Sequence, residues 1–283
     1  MKRNLNRVVI GIMTVILITS SISIYGLAAT ENKESNYEIK TVRELKTEIK
    51  SLKQANKLDR KMQKKIIKKT SPEILVDFIE EKTEDAVDAF NTIVVDEVLK
   101  EVAPGKMYGK TSVDLGDGCE AIVEFEDGVD LNIFQKINNL TSMQAYAASN
   151  GEEMWKDYGN RYFTAKSRVE MGIGFAVLVL ENHYKLSANG IDERYGEAYT
   201  DLSFSVIITG TASPGGVVIT DASARTPGAS DVNMHTTFDV VWSGAGVVNS
   251  QMAYKLSTTV KYLDINTSKK QVKVKHSWNV ERW

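Results

Sequence analysis

One cysteine, Cys119, is all the thiol chemistry in this chain of 283 residues. A lone cysteine cannot close a disulfide within the chain, so outside the cell a packed core must supply the stability. No cysteine ends the N-terminal apolar run, which excludes a lipid-modified N-terminus. Histidine is nearly as scarce: His183, His235 and His276 lie far apart, and no HExxH pair occurs. CxxC and regular acidic calcium loops are also missing, and Asp114 and Asp117 are too few and wrongly spaced for such a loop. No metal site has sequence support, and no cofactor is expected. Serine hydrolase spacing fails too. Ser213 lies in Gly210-Thr-Ala-Ser-Pro-Gly-Gly216, which lacks the GxSxG order, and Pro214 removes a backbone donor that such sites use. Gly215-Gly216 reads as a hairpin turn and not as a phosphate cradle, because no lysine-containing helix start follows it. The net charge of -2 favours neither nucleic acid nor an acidic partner.

The N-terminus is informative. Lys2, Arg3 and Arg7 precede the almost uncharged apolar run Val8 to Leu27, which ends in Ala28-Ala29 and then the polar Thr30-Glu31-Asn32-Lys33. This is the layout of a secretory signal peptide over residues 1–29, with cleavage near Ala28 or Ala29. The run is close to the roughly 20 residues that span a bilayer, so an uncleaved membrane anchor is the alternative. No second run of that length follows, and the expected location is extracellular or envelope-associated.

Two charge blocks come next. From Lys40 to Lys69 the chain is strongly basic, with Val42, Leu45, Ile49 and Leu52 and then Leu58, Met62 and Ile66 at helical spacing. The phase slips near Asn56. Thr70-Ser71-Pro72-Glu73 reads as a stop and restart, with Thr70 or Ser71 as cap and Pro72 in the first turn. Glu73 to Glu101 is acidic, carries Leu75, Phe78, Ile79, Val87, Phe90, Val94 and Val98 at helical spacing, and is expected to end at Pro104-Gly105. A helical hairpin over 30–103 follows, basic helix against acidic helix. The basic helix 40–69 offers adhesion to an anionic cell-wall polymer or lipid surface, but no nucleic acid partner is expected. The acidic neighbour makes a charge-complemented face the simpler reading.

Beyond residue 104 the period becomes two. Phe163, Ala165, Val169 and Met171 alternate with Tyr162, Thr164, Lys166, Arg168 and Glu170. Met252 to Tyr262 and Val272 to Val280 alternate likewise, separated by the turn-forming Asp264 to Lys269. Phe175 to Leu180 is apolar on both faces and reads as a central strand. The expected fold class is α+β: the charged hairpin, then an antiparallel β-sandwich-like domain over 104–283, with a short helical insertion near 131–158.

Cys119 and His183 are the candidate site residues. Asp117-Gly118 and Asp127-Gly128 flank the cysteine's strand as turn signals, while Glu120, Glu124 and Glu126 disfavour a thiolate. A small apolar role therefore fits Cys119 better than a nucleophilic one. His276, between Val274 and Trp278, reads as an interior residue, and His235 as the entry to a strand ending in Trp242. His183 stands where an apolar strand turns polar, in Leu180-Glu-Asn-His-Tyr-Lys185. Ser203 to Val260 is Ser/Thr-rich with long alternation, a composition shared by pore-forming strands and, more commonly, by ordinary sandwich strands.

The strings YGNRYFTAK, Tyr158 to Lys166, and LENHYKLSANG, Leu180 to Gly190, resemble pieces of small exported proteins of Gram-positive bacteria. That resemblance implies secretion and a β-rich module and brings no activity. The expected function is an extracellular or cell-envelope binding or structural protein, leaning away from an enzyme. The rivals are a wall-active hydrolase, whose paired carboxylates sequence spacing does not report, and a membrane-active β protein.

Overall fold

Asn56 splits the basic segment in two. In the computed structural model, which describes residues 37–130, 154–204, 208–244 and 248–282, helix α1 (Val42–Gln54) stops where Asn56 takes a positive φ of 56°. Lys57 N donates to Leu52 O at 2.8 Å and Asn56 N to Lys53 O at 3.0 Å, which closes the helix end. Asp59 then caps α2 (Arg60–Lys69) by accepting from Met62 N. The phase slip is thus a break between two helices. Ser71, not Thr70, caps α3 (Pro72–Asn91), with Pro72 in its first turn. Lys46 of α1 pairs with Glu81 of α3, so basic and acidic helices do meet through an ion pair.

The acidic helix is shorter than its spacing suggests. It ends at Asn91, where the β-branched run Thr92-Ile-Val-Val95 begins, and only one further turn, α4 (Val95–Val98), follows. Asn91 ends it with a job of its own. Its side-chain amide donates to Val280 O at 2.8 Å and accepts from Val280 N at 3.0 Å, pairing with a strand edge as backbone would. Pro104-Gly105 does not end a helix. It forms the turn between β1 (Lys100–Ala103) and β2 (Lys106–Gly116), with Gly105 at φ +70°.

The remaining strands are β3 (Cys119–Val129), β4 (Met154–Asp157), β5 (Gly159–Glu170), β6 (Gly174–Ser187), β7 (Gly190–Phe204), β8 (Ile208–Pro214), β9 (Val218–Asp221), β10 (Ser223–Ala224), β11 (Ser230–Gly244), β12 (Val248–Asn266) and β13 (Gln271–Arg282). They make two antiparallel sheets. One has seven strands in the order β1-β2-β3-β5-β6-β7-β10; the other has six, β4-β13-β12-β11-β8 with β9 also on β11. The expected central strand is β6, where Val177, Leu178, Val179 and Leu180 are all buried.

Three expectations change. Asp127-Gly128 is no turn: both residues lie inside β3, because the Asp127 carboxylate is directed into the protein and ion-paired there. Gly215-Gly216 joins no hairpin. β8 and β9 both pair with β11, one after the other, so the glycines carry the chain along a single edge. The helical insertion near 131–158 falls outside the described residues over 131–153, and its end, Met154–Asp157, is strand β4. The signal segment 1–29 also lies outside them. Among the described residues no helix is long and apolar enough to cross a membrane.

Helices and sheets of Tyr37–Trp283 share one core. Leu45, Ile49, Phe78, Ile79 and Phe90 from the helices join Phe125, Phe163, Phe238 and Leu256 from the strands, so the change from helix to strand, at Leu99, lies within a continuous packing. α3 reaches both sheets. Phe90 packs on Trp278 with ring centroids 5.7 Å apart, and Trp278 meets Phe125 edge-on at 5.1 Å. Each of the buried phenylalanines, Phe90 and Phe125, contributes about 1.5–3 kcal/mol.

Candidate functional site

Cys119 is the first residue of β3, just after a turn whose Gly116, Asp117 and Gly118 all have positive φ. It is fully buried, and burial pushes its thiol pKa up to about 12. Lys82 acts in the opposite direction and is outweighed. A thiol so shielded is a packing atom and not a nucleophile.

A second group lies inside the sandwich. Asp127 of β3, completely buried, contacts Lys156 of β4 and has the Arg161 guanidinium 3.5 Å away. The Tyr184 hydroxyl donates to Asp127 at 3.3 Å and lies 3.2 Å from His276 Nε2. Arg161 also donates to Gly105 O at 3.1 Å. Burial, then Lys156 and Arg161, hold the His276 pKa well below its ordinary value. Glu193 of β7 is pushed up to about 8 by burial, with Asn182 opposing. His276 is thus interior as expected, but it belongs to a polar layer that the alternation alone did not reveal. Closed to solvent, this layer is suited to fixing the register of two sheets more than to meeting a ligand.

One surface open to a ligand is the outer face of the seven-stranded sheet. Alternation turns Tyr162, Thr164 and Lys166 outward on β5, and the register aligns them with neighbours on both sides. One row runs Tyr162, His183, Tyr195 across β5, β6 and β7. The next runs Tyr108, Glu126, Thr164, Glu181, Glu197 from β2 to β7. The third runs Lys110, Glu124, Lys166, Val179, Tyr199. Of these rows Tyr108, Glu124, Glu126, Tyr162, Thr164, Lys166, Glu181, His183 and Tyr199, together with Gly105, Gly128 and Asp130, line a groove of about 620 Å³, within the usual size of a ligand site. Tyr195 adjoins it through its stack on His183.

The side chains are held in place before any ligand arrives. Tyr162 lies against Gly128 so closely that a Cβ there would come within 2.7 Å of the ring, and its hydroxyl donates to Glu126. Only glycine permits that seat. His183 is held at both ring nitrogens: Nε2 is 2.8 Å from Glu181 Oε1 and Nδ1 is 3.3 Å from Asp130 Oδ2. Burial works to lower the His183 pKa, and the Glu181 and Asp130 carboxylates outweigh it, so the net shift is upward. Tyr195 stacks on the imidazole with centroids 4.1 Å apart and planes at 14°. Arg194 closes the corner, donating to Asp130 at 2.8 Å. On the far row Lys166 and Lys110 hold the Glu124 carboxyl below its ordinary pKa despite some burial.

Of the two sequence candidates, His183 stands at this face and Cys119 does not. Tyr162, Tyr195, Tyr199, Glu126, Glu181 and Asp130 were not singled out from the sequence. Their outward positions were readable strand by strand, but only the register places them side by side. Among the described residues no group of three or more His, Cys, Asp or Glu is placed to hold a metal ion.

Fold and face together describe an antiparallel β-sandwich-like protein with a helical arm packed into its core and a polar-aromatic groove on one sheet. No protein family, curated protein or solved structure matches the chain.

Proposed function

We propose that this is an exported, non-enzymatic binding protein of the cell envelope, with the outer face of the seven-stranded sheet as its binding surface. The observation that carries the reading is the preset row of rings: Tyr162 seated on Gly128, His183 gripped by Glu181 and Asp130, and Tyr195 stacked on it. Fixing rotamers in advance lowers the entropy that binding must overcome. The positive, apolar and small-residue order of the N-terminus supports export. In this reading the basic helices α1 and α2 and the acidic helix α3 form a charged helical arm braced on the β-sandwich, and α1 and α2 are an auxiliary contact for anionic wall polymer or lipid.

A membrane-active role is the second reading. It is favoured by the unbroken β11–β12 ribbon, paired from Ser230↔Tyr262 to Gly244↔Val248. It predicts dye release from lipid vesicles at micromolar protein.

Co-sedimentation of the full chain with purified bacterial cell walls, with turbidity followed in parallel, tests the proposal. Binding without clearing is expected, with at least a tenfold loss in a Tyr195→Ala/Tyr199→Ala variant. Clearing of the walls would refute the non-enzymatic reading. Binding untouched by the tyrosine changes but lost at 1 M salt would move the surface to the basic helix, since exposed charges are screened within roughly 3 Å at that ionic strength.

A further inference from the structure

We infer that the groove takes a neutral polysaccharide chain laid across the strands, an inference that rests on reading this face as the binding surface. Apart from Glu197 at the β7 end, the charges of the face are matched to one another. Lys106 pairs with Glu126 at 3.0 Å, Lys110 and Lys166 with Glu124 at 3.1 and 3.0 Å, and Arg194 with Asp130 at 2.8 Å. His183 bridges Glu181 and Asp130. A polyanion would have to pull these cations from their carboxylates, and a polycation would have to displace them. Either exchange forfeits one set of charge-assisted hydrogen bonds to gain another.

A chain of neutral hydroxyls needs no such exchange. An ionised carboxylate has about four acceptor positions and an ammonium three donors, so each paired group keeps capacity for a hydroxyl. The central row presents the Glu126 and Glu181 carboxylates with Thr164 between them, its hydroxyl donating to Glu181 at 3.0 Å and keeping its lone pairs as acceptors. The rows beside it present rings, among them Tyr195 at 40% exposure and Tyr199 at 52%. Sugar rings have the complementary pattern, hydroxyls at the edge and C–H groups on the face, and apolar C–H faces settle on aromatic rings. From β2 to β7 the strip crosses five strands, on the order of 20 Å at the usual strand spacing. That is room for a chain and not just for one sugar.

Calorimetric titration of the full chain separates the possibilities. The neutral probes are chitohexaose, cellohexaose and maltohexaose; hyaluronan is the anionic probe and chitosan oligomers the cationic one, each at 0.1 and 1 M NaCl. The expected result is that at least one neutral probe binds with less than a twofold change between the two salt concentrations. Tyr195→Ala and Tyr199→Ala should each weaken it at least tenfold, with the circular dichroism spectrum retained, while Lys269→Gln, exposed in the turn between β12 and β13, leaves it unchanged. Binding of hyaluronan or chitosan alone, abolished by the tyrosine changes, would overturn the neutral ligand and leave the surface standing. Binding of a neutral probe indifferent to both tyrosines, or of no probe at all, would overturn the inference. Failure of the surface itself reads out separately, as wall co-sedimentation that the tyrosine changes do not touch.

Discussion

Replacing Asp127 by Asn tests whether the two sheets are locked by their buried charges. Asp127 is fully buried and faces two cationic side chains, Lys156 and Arg161, each about 5% exposed. The substitution keeps the shape and the Tyr184 contact but removes the only formal negative charge within that contact set. Stranding a buried partner charge costs about 3–5 kcal/mol, which for a chain of this size is about 6–20 °C in Tm. Burial and the Arg161 guanidinium already push the Lys156 amine well below its usual pKa, with Asp96 and Glu101 opposing, so part of the cost can be met by Lys156 giving up its proton. The lower half of the range is therefore expected. Adding Lys156→Met should recover about 1–3 kcal/mol, since residues in contact couple by about that much. Urea unfolding of the wild type, both single variants and the double variant supplies the cycle. A loss under about 1 kcal/mol for Asp127→Asn, or additive effects in the double variant, would show that the buried cluster does not act as one unit.

The three histidines should separate in an NMR titration of the ring protons. His183 should titrate above the ordinary 6.5 because its carboxylates outweigh burial, His235 below it through burial and then Lys255, and His276 lowest of all. The stability signs are opposite: His183 contributes stability that is complete below about 6.5 and is lost as pH rises through its folded pKa, whereas the buried neutral His276 costs stability as pH falls below about 6.5. An order with His183 beneath His235 would refute the assigned geometry of the groove. Cys119 should resist a disulfide reagent at pH 8 in the native protein and react at once in 6 M guanidinium chloride. Prompt labelling of the native chain would show that the thiol is neither as buried nor as weakly acidic as its packing requires.

Much of the architecture could be read in advance because it is local. Ser71-Pro72 sets a helix start, Asp117-Gly118 a tight turn, and period-two alternation on β5, β12 and β13 sorts inward from outward residues. The misreadings share one cause. Asp127-Gly128 looked like a turn because Asp-Gly usually is one, and the ion pair that holds Asp127 inside β3 comes from β4 and β5. Asn91 ends α3 by pairing with Val280, 189 residues away in sequence. The break at Asn56 was visible as a phase slip, but its meaning depended on a left-handed backbone conformation.

The groove shows the same division. The sequence alone determined that Tyr162, Thr164 and Lys166 share a wet face, that Cys119 opens a strand, and that His183 stands where a strand turns polar. The groups that face the thiol, Lys82, Asp117, Lys53 and Lys46, came only from the tertiary structure. Only the tertiary structure decided that Tyr162, His183 and Tyr195 form one row, that Asp130 and Glu181 meet the same imidazole, and that Gly128 makes the seat for a tyrosine ring. The physical reason is register. Alternation is a property of each strand by itself, whereas slipping a neighbour by one residue would turn its whole set of side chains to the opposite face. What pins the register here is the burial of hydrophobic and charged side chains on the inner face, contributed by segments far apart in the chain.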